Sequence, residues 1–279
     1  MASLRPSLTI LLLTVCATQL PAVTLLQFNT PTVENFDTLD VATSSTLPAG
    51  WELVESGSSA NTTYGAGTGS SSTGNTYSFG ATGSTERSLG SLRTSGVAST
   101  FGTIVTNDTG STLTDLTIEF TGEQWRLGAL GRVDRLDFGY SIDATSIGTG
   151  VWLEVDALDF TAPVTGGVTG ALDGNAAGNQ LLLAYTLSGL NLPSGTSMWL
   201  RWVDFDATGS DDGLAIDNFS ISAPQATTGG GGGSTLAVPD HLPTSVIIVV
   251  MGGLLALARR HDWALSGSSS SMHESGEPS

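Results

Sequence analysis

Apolar and polar residues alternate along three stretches near the middle of the chain. Leu116, Ile118 and Phe120 alternate with Thr117, Glu119 and Thr121. Leu136, Phe138, Tyr140 and Ile142 alternate with Asp137, Gly139 and Ser141. Val151, Leu153 and Val155 alternate with Trp152, Glu154 and Asp156. A period of two with one apolar face predicts half-buried antiparallel strands. Further strands are expected at 51–55, 76–79, 97–106, 180–187, 198–205 and 214–221. Clusters of Gly, Asn, Asp, Ser and Thr, such as Asn107-Asp108-Thr109-Gly110, separate them. Many short strands of this kind predict an all-β fold, an antiparallel two-sheet sandwich over residues 24–222. The Ser- and Gly-rich stretch 56–75 reads as a loop or an edge strand.

The two ends carry different patterns. Residues 1–23 read as a secretory signal helix: Arg5 supplies the positive region, residues 8–15 the apolar region, and Ala17 or Ala22 the cleavage point. Residues 223–237 form a Gly-rich linker containing five consecutive glycines, 229–233. Val238-Pro239-Asp240 follows, then an apolar stretch over 242–258, then Arg259-Arg260 and a polar tail, 261–279. Seventeen helical residues reach about 25 Å, the lower limit for crossing a bilayer. A single C-terminal transmembrane helix is therefore expected over this stretch, with the Arg pair on the cytoplasmic side.

The segment 238–260 resembles the PEP-CTERM class of bacterial sorting signals, in the variant whose motif reads Val-Pro-Asp. That resemblance implies an exosortase-type sorting enzyme as partner and a bacterial cell surface as destination. His241-Leu242-Pro243 and the tail beyond the arginines depart from the pattern, so the helix is either cleaved or retained as an anchor. The body resembles a module of secreted bacterial proteins similar to MAM and jelly-roll carbohydrate-binding sandwiches. The residues carrying this resemblance are Glu34-Asn35-Phe36-Asp37, Leu47-Pro48-Ala49-Gly50-Trp51, Gly122-Glu123-Gln124-Trp125-Arg126, Asp134-Arg135-Leu136-Asp137-Phe138, Leu172-Asp173-Gly174-Asn175 and 211–219. It implies a jelly-roll sandwich and secretion, and leaves the ligand open.

Charge narrows the chemistry. The net charge is −17, and the nine basic residues are all arginine. Such a body repels phosphate backbones, which argues against nucleic acid. Cys16, the single cysteine, lies in the signal segment, and His241, His261 and His273 lie beyond the body. Without His, Cys or Lys, residues 24–222 cannot hold a Ser-His-Asp triad, a thiol nucleophile, a zinc site or a Schiff-base lysine. Carboxylates and hard cations remain. The best metal candidate is the acidic cluster Asp204, Asp206, Asp211, Asp212 and Asp217, whose turn 206–212 is rich in oxygen ligands of the kind calcium takes. Resemblance to jelly rolls in which a calcium joins an early acid to the last strand adds Glu34 and Asp37. A single structural Ca2+ is expected; an exposed acidic hairpin is the competing reading. Trp125 and Arg126 are candidates for stacking on a sugar ring, against a plain packing role.

These readings describe a secreted, surface-anchored, non-enzymatic module of the bacterial envelope or extracellular matrix that takes polysaccharide. A carboxylate-dependent glycan-active enzyme and a single-pass adhesin or receptor-like protein are the alternatives.

Overall fold

A computed structural model describes residues 23–25 and 27–225. The signal segment up to Ala22, the linker from Ala226 onward, the sorting motif and the expected membrane helix lie outside the described residues. Among the described residues no helix is long and apolar enough to cross a membrane.

The described chain is a two-sheet all-β sandwich with one 3-10 turn at Asp156–Leu158. Its strands are β1 (Val23–Leu25), β2 (Thr32–Glu34), β3 (Trp51–Ser56), β4 (Tyr64–Gly67), β5 (Asn75–Phe79), β6 (Ser88–Leu92), β7 (Ala98–Asn107) and β8 (Leu113–Leu127). There follow β9 (Arg135–Ser141), β10 (Leu153–Glu154), β11 (Phe160–Thr161), β12 (Gly170–Ala171), β13 (Gln180–Leu192), β14 (Ser197–Asp204) and β15 (Gly213–Ser222). Sheet A runs β1-β7-β14-β9-β10, with β3 also on β7 and β11 on β9. Sheet B runs β12-β8-β15-β6-β5-β4, with β13 on β8 and β2 on β15.

Pairing is antiparallel except at two places. β1 lies parallel to β7, and β4 lies parallel to β5 because the Gly- and Ser-rich segment 68–74 returns the chain to its starting end. The expectation of a wholly antiparallel sandwich is corrected there. β4 is the edge strand of sheet B, within the stretch whose composition left loop and edge strand open.

Alternation places the core as the sequence pattern requires. Leu116, Ile118 and Phe120 of β8 point inward, opposite Phe101 and Val105 of β7, Leu136 and Phe138 of β9, and Met198, Leu200 and Trp202 of β14. Trp202 is the hub. Its ring meets Trp51, Phe101, Phe120, Phe138 and Phe219 at centroid distances from 5.1 to 6.1 Å. The third alternating stretch holds only in part: Leu153–Glu154 is a strand and Val155 packs on the core. Val151 and Leu153 are exposed, because only Leu153–Glu154 pairs with β9, at the rim of sheet A.

Sheet B is also covered on its outer face. Beyond Phe120, β8 stays buried on both sides, and a second apolar cluster of Tyr77, Phe79, Leu92, Trp125 and Ala215 packs on the outside. Close contact of β6 with β15 needs a glycine there. A Cβ at Gly90 would stand 2.1 Å from the Leu214 carbonyl oxygen and 2.5 Å from the Ala215 Cβ. Both neighbours belong to a central strand and cannot yield. Gly90→Ala is therefore expected to destabilise the chain by about 1–3 kcal/mol, read as a lower urea midpoint; an unchanged midpoint would show that β15 can move aside.

Candidate metal centre

Three carboxylates converge on the outer face of sheet B. Glu123 of β8 and Asp217 of β15 are diagonal neighbours, since Thr121 pairs with Asp217 and Ala215 with Glu123. Glu86 enters from the segment just before β6. One oxygen from each lies within 4.8 Å of the others. Glu123 and Asp217 are buried and Glu86 is half-buried.

Their hydrogen bonds leave gaps. Glu123 Oε2 accepts from the Trp125 indole N–H at 2.9 Å. Asp217 Oδ2 accepts from Asn218 Nδ2 at 2.6 Å, and Glu86 Oε2 from Asn175 Nδ2 at 2.5 Å. Asp217 Oδ1 and Glu86 Oε1 are buried with no partner at all. A buried carboxylate oxygen without a donor is costly unless a proton or a cation meets it. Burial pushes the Asp217 carboxyl up to about 8, and the charges of Glu123, Glu86 and Asp37 push the same way. Burial likewise pushes Glu123 up to about 7, against the hydrogen bonds from Trp125 and Ser88 and with the charges of Glu86 and Asp173.

The backbone around the site is unusual. Asn218 has φ 49° at the irregularity that breaks the β15–β8 register between Asp217 and Ser220. Phe36 has φ 56°, is fully buried, and gives its amide to Glu34 Oε1 at 2.8 Å. Left-handed conformations at bulky residues cost free energy that the surroundings must hold in place. Gly174 sits directly against the Trp125 ring, where a Cβ would come within 2.4 Å of it. The loop 172–175 thus caps the outer face beside Glu86.

An all-oxygen donor set of three converging carboxylates, two with unpartnered buried oxygens, fits a hard cation of the calcium type. It lacks the histidine or cysteine donors that the usual structural and catalytic zinc sites include.

Of the candidates that the sequence offers, Asp217 alone joins this group. Asp37 lies close enough for its charge to act on Asp217; its Oδ2 accepts from Asn35 and its Oδ1 from the Arg87 amide. Glu34 faces Phe219 across the β2–β15 pair and spends one oxygen on the Phe36 amide. The acids of the turn 206–212 lie apart from this group and take other partners. Asp206 is exposed and pairs with Arg93 at 3.4 Å. Asp211 Oδ1 accepts from the Ala207 amide at 3.1 Å. Asp212 accepts from the Gly128 amide, Gln124 and Arg132, and its own amide donates to Asp134. These acids tie the hairpin to β8 by backbone and arginine bonds, and beside them Asp204 is fully buried, its Oδ2 accepting from Ser91 and its Oδ1 without a partner. Glu86 and Glu123 were missed. Glu123 stands inside a quoted motif, but nothing in its spacing marks it as a ligand.

Trp125 is also corrected as a sugar platform. It is 1% exposed, stacked on Phe79, and its N–H is shared between Ser88 and Glu123 at 2.9 Å each. Arg126, next to the register irregularity of β8 at Trp125, bonds the Gly69 and Ser70 carbonyls and lines a surface cleft of about 580 Å³ with Arg93 and residues 206–211.

No protein-family model and no curated protein sequence matches the chain. Among solved structures, the K2 cleaved adhesin domain of Lys-gingipain is similar at 13% identity and a TM-score of 0.37, covering 68% of this chain and 97% of that one. The module TmCBM61, solved with β-1,4-galactotriose, is similar at 11% identity and a TM-score of 0.28, covering 71% and 90%. The enzymatically active domain of the bacteriophage CBA120 tailspike protein 4 is similar at 14% identity and a TM-score of 0.33, covering 62% of this chain but 19% of that one.

Proposed function

We propose that this chain is an exported, surface-tethered, non-catalytic sandwich module of jelly-roll type, whose strands are locked by one calcium ion held by Glu86, Glu123 and Asp217. Its place is the bacterial envelope or extracellular matrix, and its ligand is polysaccharide. The observation that carries this reading is the convergence of three carboxylates, two of which, Asp217 and Glu86, keep a buried oxygen without a partner. One ion there would join β8, β15 and the segment before β6, which are consecutive neighbours in sheet B, and would offset charge in a chain of net charge −17. Calcium would supply structure and no step of a reaction. Export and tethering rest on the signal segment, the 238–260 sorting pattern and an exosortase-type enzyme or a retained membrane helix.

Calcium titration of the full chain against melting temperature is the direct test of the ion. Mass spectrometry of the surface form tests the export. Its first residue is expected between Thr18 and Thr24, since the apolar region ends before Ala17 and Ala22 is the second cleavage candidate. A surface form still beginning at Met1 would remove the export reading. The other end separates the two tethers: loss of 242–279 supports sorting, and an intact Ser279 supports a retained anchor.

A further inference from the structure

The outer face of sheet A carries an arrangement that neither the core nor the metal centre uses. Register places Glu52, Gly102, Arg201, Gly139 and Glu154 in one row across β3, β7, β14, β9 and β10. The two glycines leave both strands beside Arg201 without side chains. Arg201 donates to Glu154 Oε1 at 3.2 Å, and its guanidinium lies 4.0 Å from the ring centre of the half-buried Trp152. Its Nε is shielded and has no acceptor.

A second stack follows along the same face. Arg135 lies 3.8 Å over the Phe205 ring and donates to Asp137. Arg135 stands four residues from Gly139, so the two stacks are about 13 Å apart along β9. Val203 and Asp137 pair between them, and Arg135, Asp137, Glu154, Asp156, Asp159, Arg201 and Val203 line one recess of about 240 Å³.

One end of this face is closed. Trp199 points outward from β14, yet it is only 3% exposed. The Ile147 side chain is buried, and its amide stabilises the Glu52 carboxylate on β3. The loop after β9 therefore covers this end of the sheet and touches the Arg201 row at two points, the Ile147 amide on Glu52 and the Trp152 ring on Arg201.

We infer that this trough binds a short stretch of a neutral, hydroxyl-rich polysaccharide chain, an inference that rests on the polysaccharide reading above. A hydroxyl both donates and accepts, so it can bridge an arginine–carboxylate pair without breaking it. The partly exposed Trp152 ring supplies an apolar surface for the C–H face of a sugar, and Arg201 fixes that ring from the other side. An anionic chain meets four carboxylates against two guanidiniums in the recess, and is disfavoured.

Affinity electrophoresis and calorimetry of the full chain test this, with mixed-linkage β-glucan, galactan and dextran as neutral probes and alginate as the anionic one. A neutral probe is expected to bind, with affinity falling at least tenfold in Trp152→Ala and in Arg201→Ala. Arg201→Lys keeps the charge but loses the planar fork, and should also bind weakly. Thr186→Ala, on sheet B, should bind as the parent does. Circular dichroism melting separates loss of binding from loss of fold. Undiminished binding in the folded Trp152→Ala and Arg201→Ala variants would overturn the trough and leave the polysaccharide reading standing. Preference for alginate would overturn the neutral class. Absence of binding to all four probes would remove the polysaccharide reading, and the trough with it.

Discussion

Trp202→Ala is expected to cost about 3–5 kcal/mol, the range for emptying a buried large aromatic site. Five aromatic rings surround Trp202, contributed by both sheets and by β3. Strand backbones hold those rings, so the surroundings cannot collapse into the space. A typical domain has only about 5–15 kcal/mol of total stability, so this single change removes much of the margin. The indole N–H of Trp202 has no acceptor. Trp202→Phe gives up ring area but also removes that unsatisfied donor, and should cost clearly less. Trp199→Ala, on the other face of the same strand and outside the aromatic cluster, is the comparison. Urea midpoints should rank the parent highest, then Trp202→Phe, with Trp202→Ala lowest. Equal losses for Trp199→Ala and Trp202→Ala would show that the aromatic hub has no special weight.

Alternation alone placed the central strands. The inward set Leu116, Ile118 and Phe120 could be read directly, because one face of β8 meets the core and the other meets water. The same reading found the strand at 151–155 but not its burial, since Val151 and Leu153 lie exposed at a rim and Val155 alone packs on the core. β6 (Ser-Leu-Gly-Ser-Leu) carries Ser88 and Gly90 beside Leu92 on its outer face and shows no apolar alternation in the sequence. Its Gly90 fits against Ala215, a constraint that exists only once β15 is beside it. The metal centre was half legible for a related reason. Asp217 was named because it sits in the last strand, but its partners come from 94 and 131 positions earlier, and only the β8–β15 and β6–β15 pairings bring them together. In the turn 206–212, acids that cap turns and bind arginine look, in sequence, like acids that bind ions, so composition alone does not separate the two roles. Four quoted motif segments, around Asp37, Glu123, Asn175 and Asp217, do meet at the centre.

Calcium is expected to raise the melting temperature of the full chain by roughly 5–10 °C at a hundredfold excess over Kd. Binding to the native state alone adds RT ln(1 + [Ca]/Kd), about 2.7 kcal/mol. A domain of ~200 residues shifts by about 2–4 °C per kcal/mol. Magnesium at matched ionic strength should do much less, because it demands a smaller octahedral shell. The gain depends on pH in a defined direction. Asp217 and Glu123 have folded-state pKa values raised to about 8 and about 7, above those of an unfolded carboxyl. In chelator, their contribution is fully present below the unfolded value near 4 and is lost as pH rises through 7 to 8, because the folded chain must then carry unpaired buried charge. Calcium replaces those protons, so its stabilisation should grow across the same window. The variants divide the two candidate places. Asp217→Asn and Glu123→Gln should abolish the calcium-specific rise, whereas Asp206→Asn should keep it. In chelator at pH 8.5, Asp217→Asn should melt above the parent, since it removes the buried charge and keeps the shape. Equal melting in calcium, magnesium and chelator would exclude an ion at this centre, and a rise lost only in Asp206→Asn would move it to the turn.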